Sequence, residues 1–235
     1  MRVVSIPGTE ECFDLDRPGA VAAWNRALNR RYAMENLEQH GSRFVRGIEA
    51  RRRRRIAELV EPFEVALDLG AEDGSLAQLW RSKGERVVLL DVDPGMLRRA
   101  SGDRLAADAG SIPLRADSCD CVVLSAILEH VVDPRKTLEE CCRVLRPGGQ
   151  IIAYVPWDGA VVPLKKWARR CGFRLGPLHD GLAPGHLRMF DRAKLRRVFE
   201  GIVRDVRITL DPWSLGYYAT TRTSGGRAPD PIQAD

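Results

Sequence analysis

The stretch FEVALDLGAEDG, residues 63–74, decides the fold of this 235-residue chain. Its apolar run Val65-Ala66-Leu67 meets an acid at Asp68 and then two glycines, Gly70 and Gly74. Leu76, Leu79 and Trp80 follow at i, i+3 and i+4. That order reads as a buried strand, a glycine turn and an amphipathic helix over 74–83. Glycine permits positive φ and lets main chain approach a ligand. The start of a helix presents unpaired N–H groups, and open α/β sheets bind small molecules in such crevices. Taken alone, a glycine turn after a strand is as often structural as it is ligand-binding.

Downstream the rhythm repeats. Strand 86–91 (RVVLLD) leads to Asp93-Pro94, an N-cap with proline at the first helical position. A short strand near 103–107 precedes Asp108. Strand 120–125 leads to Leu128-Glu129-His130, and Asp133-Pro134 caps a helix that should turn Leu138, Cys142 and Leu145 inward. Pro147-Gly148-Gly149 should stop that helix before strand 150–155. Apolar strands without polar alternation, separated by helices, predict a doubly wound, mostly parallel α/β sheet. Residues 156–189, rich in Gly, Pro, Trp, Arg and His, read as an insertion with a short helix at 162–170. Asp191 should cap the next helix, with Phe190 stapled onto Leu195. Strands 202–210 and 214–221 are joined only by Asp211-Pro212, too little for a crossover helix, so they should be antiparallel.

Upstream, residues 1–18 read as an extended lead-in, 20–39 as a helix and 42–60 as a second, together capping the carboxyl edge of the sheet. Residues 1–62 form the N-terminal extension, 63–222 the core and 223–235 a disordered tail. Between Arg43 and Arg55 there are seven arginines, five of them consecutive, against one acid. They read either as a patch for nucleic acid or anionic lipid or as a solvated helix whose arginines pair with nearby acids. Five consecutive helical residues encircle the helix, and the stripe Val45, Ile48, Ile56, Leu59 passes through Arg52. Arg52 should therefore face the protein, its stem packed and its head paired.

Composition narrows the class. With 44% hydrophobic residues and net charge +5 the chain can bury a core. No run approaches the roughly 20 apolar residues of a membrane span. The N-terminus carries acids where a signal peptide is apolar, so the expected location is cytoplasmic. The six cysteines include no C-x-x-C and read as reduced, buried thiols, so no metal site is expected.

Three acids stand at consecutive strand ends: Asp68, Asp91 and Asp108. Carboxylates there converge on one edge and can accept hydrogen bonds from an amine, a ribose diol and an exocyclic amine. Asp91 follows Gly70 by 21 residues, the spacing of a ribose-reading acid.

With these residues in view, the chain resembles class I S-adenosylmethionine-dependent methyltransferases over residues 63–155. ALDLGAEDGSL is similar to the family's first motif and VVLLDVDPGML to its second. LAADAGSIPLRADSCDCVVLSAILEHVVDPRKTLEECCRVLRPGGQIIAYVP resembles the third through sixth. PGHLRMFDRAKLRRVF resembles the segment before the final strand pair in the small-molecule branch. The resemblance implies a seven-stranded Rossmann-like sheet with an antiparallel last strand and S-adenosyl-L-methionine as cofactor. It places the Gly70–Gly74 turn on the methionine portion, with Asp68 ordering the amino group. Asp91 would take the ribose hydroxyls, with Val92 and Met96 against adenine. Asp108 would take the adenine amino group, Ala109 a ring nitrogen, and Ser125 and His130 would line the crevice beside the methyl. Glu72 departs from the pattern, because the family has glycine there; its charge would either repel the cofactor's carboxylate or meet its amino group.

Among four histidines, His130 and His186 are the candidate bases, with His179 beside His186 in the insertion and His40 elsewhere. Trp157, Trp167, Phe173 and Trp213 read either as an acceptor pocket or as ordinary cover for a sheet edge, with Arg169, Arg170 and Arg174 for an anionic group. A small-molecule acceptor, a lipid or secondary metabolite among the options, is the leading reading. RNA or protein methylation through the arginine helix comes second, and a non-catalytic cofactor- or partner-binding descendant third. Nucleic acid is the less favoured partner, since Ser125-Ala-Ile-Leu-Glu stands where amino-methylating relatives carry an Asn/Asp-Pro-Pro-aromatic motif. A dehydrogenase is disfavoured because the third glycine of the dinucleotide fingerprint is missing. Oligomeric state is left open.

Overall fold

A computed structural model of the chain describes residues 3–5, 10–17, 19–21, 23–24, 26–27, 43–172 and 186–223. The sheet is built from β3 (Phe63–Leu69), β4 (Gly84–Asp91), β5 (Asp103–Ala106), β6 (Cys119–Ser125), β7 (Leu145–Pro156), β8 (Arg207–Asp211) and β9 (Gly216–Arg222). A short antiparallel pair, β1 (Val3–Ser5) and β2 (Cys12–Asp14), precedes it. The seven strands lie in the order β5-β4-β3-β6-β7-β9-β8. The first five are parallel, and β9 runs antiparallel to both β7 and β8, as expected. The order reverses between β3 and β6, so a crevice opens above their carboxyl ends.

Apolar residues cover both faces. On one, Leu138, Cys141 and Val144 of α3 (Pro134–Val144) and Leu195 and Phe199 of α5 (Arg192–Phe199) pack on Leu67, Leu69, Leu124 and Val155. On the other, Ile56 of α1 (Arg43–Leu59), Trp80, Leu97 of α2 (Pro94–Leu97) and Ala100 pack on Ala66, Leu89 and Val123. Helix α4 (Asp158–Arg170) follows β7 and contains Pro163. The three expected caps form: Asp93, Asp133 and Asp191 each accept main-chain N–H bonds from the first turn they precede. Phe190 and Leu195 share the same core.

Several expectations shift. Residues 74–83 hold two 3-10 turns, Ala77–Leu79 and Arg81–Lys83, rather than an α-helix. The chain breaks so that Trp80 can be fully buried against the edge of Phe63, with ring centroids 5.7 Å apart, which leaves Leu79 exposed. In α3, Cys141 rather than Cys142 is the fully buried thiol. That helix ends at Val144, and Leu145 belongs to β7, whose pairing with β6 shifts register between Cys119 and Cys121. Residues 202–206 precede β8 without joining it.

Helix α1 covers a face of the sheet through Ile56 instead of capping its edge. The carboxyl edge is met by the earlier segment, where Leu15, Trp24 and Ala27 pack with Val132 and Leu187. Arg52 lies as expected, with its guanidinium 5.5 Å from the centre of the Tyr154 ring and 2.7 Å from Glu49. Arg51 and Arg55 pair with Asp211 and Glu58, so the arginine run is largely spent on this chain's own acids. Arg46, Glu49, Arg53 and Arg54 line a separate cavity of about 490 Å³ together with Ala50, Ala57 and Leu79. Cys119, Cys121 and Cys141 are buried, Cys142 is half-buried, and Cys12 and Cys171 are exposed. His40, Phe173, Arg174, His179 and the tail beyond Thr223 lie outside the described residues, as does the side chain of Arg169.

Candidate active site

Three strand ends meet at the switch point. Asp68, near the end of β3, is 1% exposed, and neither carboxylate oxygen has a hydrogen-bond partner among the described residues. Burial, then the negative charges of Glu72 and Asp91, push its pKa from 3.8 up to about 7, against the pull of Arg53. An orphaned buried carboxylate is costly in an apolar core, and it suits a site that receives a cationic group. Asp91 ends the neighbouring β4 and accepts the Glu72 N–H at 3.0 Å and the Asp93 N–H at 2.8 Å. Burial raises its pKa, and these main-chain donors hold it down. A carboxylate has about four acceptor positions, so two main-chain bonds leave capacity for a diol.

The turn between them is shaped by β4. Gly70 and Ala71 both donate to the Leu90 carbonyl, at 2.8 and 3.0 Å. Gly70 and Gly74 have φ of 76° and 73°, the left-handed region. The space around them is taken by packing: a Cβ on Gly70 would lie 2.9 Å from Ile127 Cδ1, and one on Gly74 2.7 Å from Leu89 Cδ1. Here the glycines serve the joint between the turn and its neighbours as much as any ligand.

Glu72 also has positive φ, 50°, so the glutamate adopts the conformation glycine would take, and its N–H still reaches Asp91. Left-handed conformation costs a non-glycine residue roughly 1–2 kcal/mol. Glu72→Gly is therefore expected to leave stability within about 1 kcal/mol, because relief of strain offsets the added chain entropy. Cofactor binding should be equal or tighter. A large loss of affinity in calorimetry would instead make the carboxylate a ligand.

The remaining rim residues lie nearby. Val92 is half-buried and Met96 buried on α2, whose N-cap Asp93 accepts from Gly95. Asp108 lies two residues past β5, exposed, its Oδ1 accepting the Gly110 N–H at 2.7 Å, and Ala109 is buried. Ser125 ends β6 with its hydroxyl buried and without a hydrogen-bond partner among the described residues. Ala126 follows at φ 58°, a strained conformation of the kind that clusters at functional sites.

A second group stands beside this rim. The rings of His130 and His186 meet edge to face, with centroids 4.9 Å apart. His186 Nδ1 lies 2.8 Å from the Asp158 carboxylate, and both side chains are buried. Glu129 is 1% exposed; burial pushes its pKa from 4.5 to about 7, opposed by the His186 charge. Arg188 donates to the carbonyls of Leu128, Val131 and Val132, and the Leu187 N–H bonds the Glu129 carbonyl, tying 186–188 to the loop after β6. Sequence reasoning named His130 and His186 but missed Glu129, Asp158 and Arg188. The available signal was an acid in the apolar context Ile127-Leu128-Glu129. Of the tryptophans, Trp157 packs on Tyr217 at the carboxyl edge, while Trp167 and Trp213 are exposed.

Residues 67–153 match the family model described as a methyltransferase domain. The chain is 38% identical over 126 residues to a demethylmenaquinone methyltransferase of Paenarthrobacter aurescens, covering 49% of each protein. It is 30% identical over 169 residues to a malonyl-[acyl-carrier protein] O-methyltransferase of Yersinia pestis, covering 69% of this chain and 60% of that protein. The chain thus spans about half to three fifths of the length of these curated relatives. A SAM-dependent methyltransferase structure from Thermotoga maritima superposes with TM-score 0.65 at 13% identity, over 84% of this chain and 99% of that one, which shows a shared fold.

Proposed function

We propose, on the premise that this chain is a class I S-adenosylmethionine-dependent methyltransferase through its domain at residues 67–153, that it methylates a small-molecule acceptor. The observation that carries the reading is the pair of buried strand-end carboxylates: among the described residues, Asp68 has no hydrogen-bond partner and Asp91 accepts from main chain alone. The first suits the amino group of the cofactor and the second its ribose hydroxyls. Val92 and Met96 flank the adenine, Asp108 receives its amino group, and the Ala109 N–H meets a ring nitrogen. The Gly70–Gly74 turn, with Glu72 on it, borders the methionine portion. Ser125, His130 and His186 stand on the acceptor side.

S-adenosylmethionine supplies an electrophilic methyl on a sulfonium, so the protein's work is alignment and exclusion of water. For an acceptor with a weakly acidic hydroxyl, a positioned base from the histidine cluster adds typically ~10²–10⁴-fold. The two relatives named above bear the names of a quinone and of a carrier-bound acyl group. An acceptor with an ionisable oxygen or a neighbouring acidic carbon fits both chemistries. The pairing of Arg51, Arg52 and Arg55 with Asp211, Glu49 and Glu58 weighs against a nucleic-acid surface.

Calorimetry with S-adenosylmethionine, coupled to mass detection of the demethylated cofactor, tests the reading. Saturable binding and slow release of the demethylated form are expected; no binding would sink it. The affinity should also depend on pH. Because Asp68 has its pKa raised to about 7, it is neutral below that pH and ionised above. Binding of an ammonium group should be full above pH 7 and weaken as pH falls through it, by up to tenfold per unit. Asp68→Asn should bind weakly, with that dependence gone.

A further inference from the structure

Glu129 and His130 come from the loop after β6, and His186 from the segment before α5. One ligand-capable atom of each lies within 4.8 Å of the other two. Both Glu129 oxygens are buried without a hydrogen-bond partner among the described residues. A carboxylate this close to two imidazoles, yet hydrogen-bonded to neither, is a donor set that a cation could draw together. Two donors on a single ion at about 2.0–2.2 Å stand roughly 3–4 Å apart, so a small contraction would close the set. His186 is already oriented as a metal-bound histidine would be, since buried Asp158 holds its Nδ1 at 2.8 Å. That carboxylate–histidine pairing sets the tautomer that presents Nε2 as a ligand.

We propose that Glu129, His130 and His186 bind a divalent first-row transition ion of the zinc class, with Asp158 as the positioning residue behind His186. Two imidazoles and one carboxylate favour such ions over magnesium or calcium, which prefer all-oxygen sets. Three protein ligands leave a fourth position open. The inference rests on the methyltransferase reading for its role. The acceptor's hydroxyl enters that position, and its proton passes to solvent as the oxygen coordinates, since a bound cation acidifies it. The oxygen's electron pair then forms the O–C bond to the methyl while the S–C pair returns to sulfur, giving a methyl ether or ester and a neutral thioether. The histidines that would serve as bases without an ion thus become its ligands. Sequence spacing conceals the set, because one ligand lies 56 residues from the next.

The test uses the full chain, stripped with a chelator and titrated with Co²⁺ and then Zn²⁺. One saturable Co²⁺ per chain is expected, with visible d–d absorption and no thiolate charge-transfer band, displaced by Zn²⁺. His130→Ala and His186→Ala should abolish it, and Asp158→Asn should weaken it roughly 10–100-fold. Cys12→Ser/Cys171→Ser, removing the exposed thiols, should leave it unchanged. Glu129→Gln, nearly isosteric, guards against misfolding in the alanine variants and should also lose the ion. No saturable uptake by the wild type, uptake undiminished in the His130→Ala/His186→Ala double variant, or loss only in the cysteine variant would overturn the proposal. Intact cofactor calorimetry with no metal uptake would overturn the ion alone; metal uptake without cofactor binding would overturn the methyltransferase reading alone.

Discussion

Asp91→Ala is expected to weaken S-adenosylmethionine binding by about 3 kcal/mol, roughly a hundredfold, when measured by calorimetry at pH 8. Two losses combine. Hydrogen bonds to a charged group are worth about 1.5–3 kcal/mol each, and the ribose contacts proposed for this carboxylate would vanish. The same side chain holds the Glu72 N–H and the Asp93 N–H. Without it the glycine turn is held to β4 only through the Gly70 and Ala71 bonds to the Leu90 carbonyl, and the Asp93-capped start of α2 loses its own tether. Asp91→Asn keeps an acceptor oxygen and should lose about tenfold. Affinity unchanged in both variants would remove Asp91 from the cofactor site and leave it a purely structural anchor.

Trp80→Ala is expected to cost about 3–5 kcal/mol of folding stability, the range for deleting a large aromatic from a packed core. Urea denaturation followed by circular dichroism would measure it. Trp80 is fully buried against Phe63 and separates the two 3-10 turns that follow the glycine loop. Gly84 is packed so tightly on Phe63 that a Cβ there would lie 2.2 Å from its ring. Little can collapse into the vacated volume, which places the loss toward the upper end. Trp80→Phe should cost far less, about 1–2 kcal/mol, because the indole Nε1 has no hydrogen-bond partner among the described residues to forfeit. Equal losses for both variants would mean that aromatic packing at this position is not what holds the turn. Cofactor affinity should fall in Trp80→Ala as well, since the segment it anchors leads directly out of the Gly70–Gly74 turn.

The unequal fates of two adjoining predictions show where sequence reading ends. The Asp93-Pro94, Asp133-Pro134 and Asp191 caps formed as expected, because capping is a bond between a side chain and main chain two or three residues away. The expected helix over 74–83 did not form, although its apolar spacing was helical. Trp80 is claimed by Phe63, 17 residues earlier, and a local pattern cannot register that demand. Cys142 was likewise expected inward, and the neighbouring Cys141 took that place once α3 rotated against the sheet.

The chain's own order of residues was enough for the parallel sheet, its antiparallel end, the glycine turn and the row of strand-end acids. Those features follow from periodicity, from short-range bonding and from how many residues a crossover needs. Only the folded chain decided that Asp68 would be buried without a partner among the described residues, that the glycines would be pressed by Ile127 and Leu89, and that Glu129, His130, Asp158 and His186 would meet. Burial and convergence of that kind depend on contacts between segments tens of residues apart, and long-range packing leaves no period in the sequence.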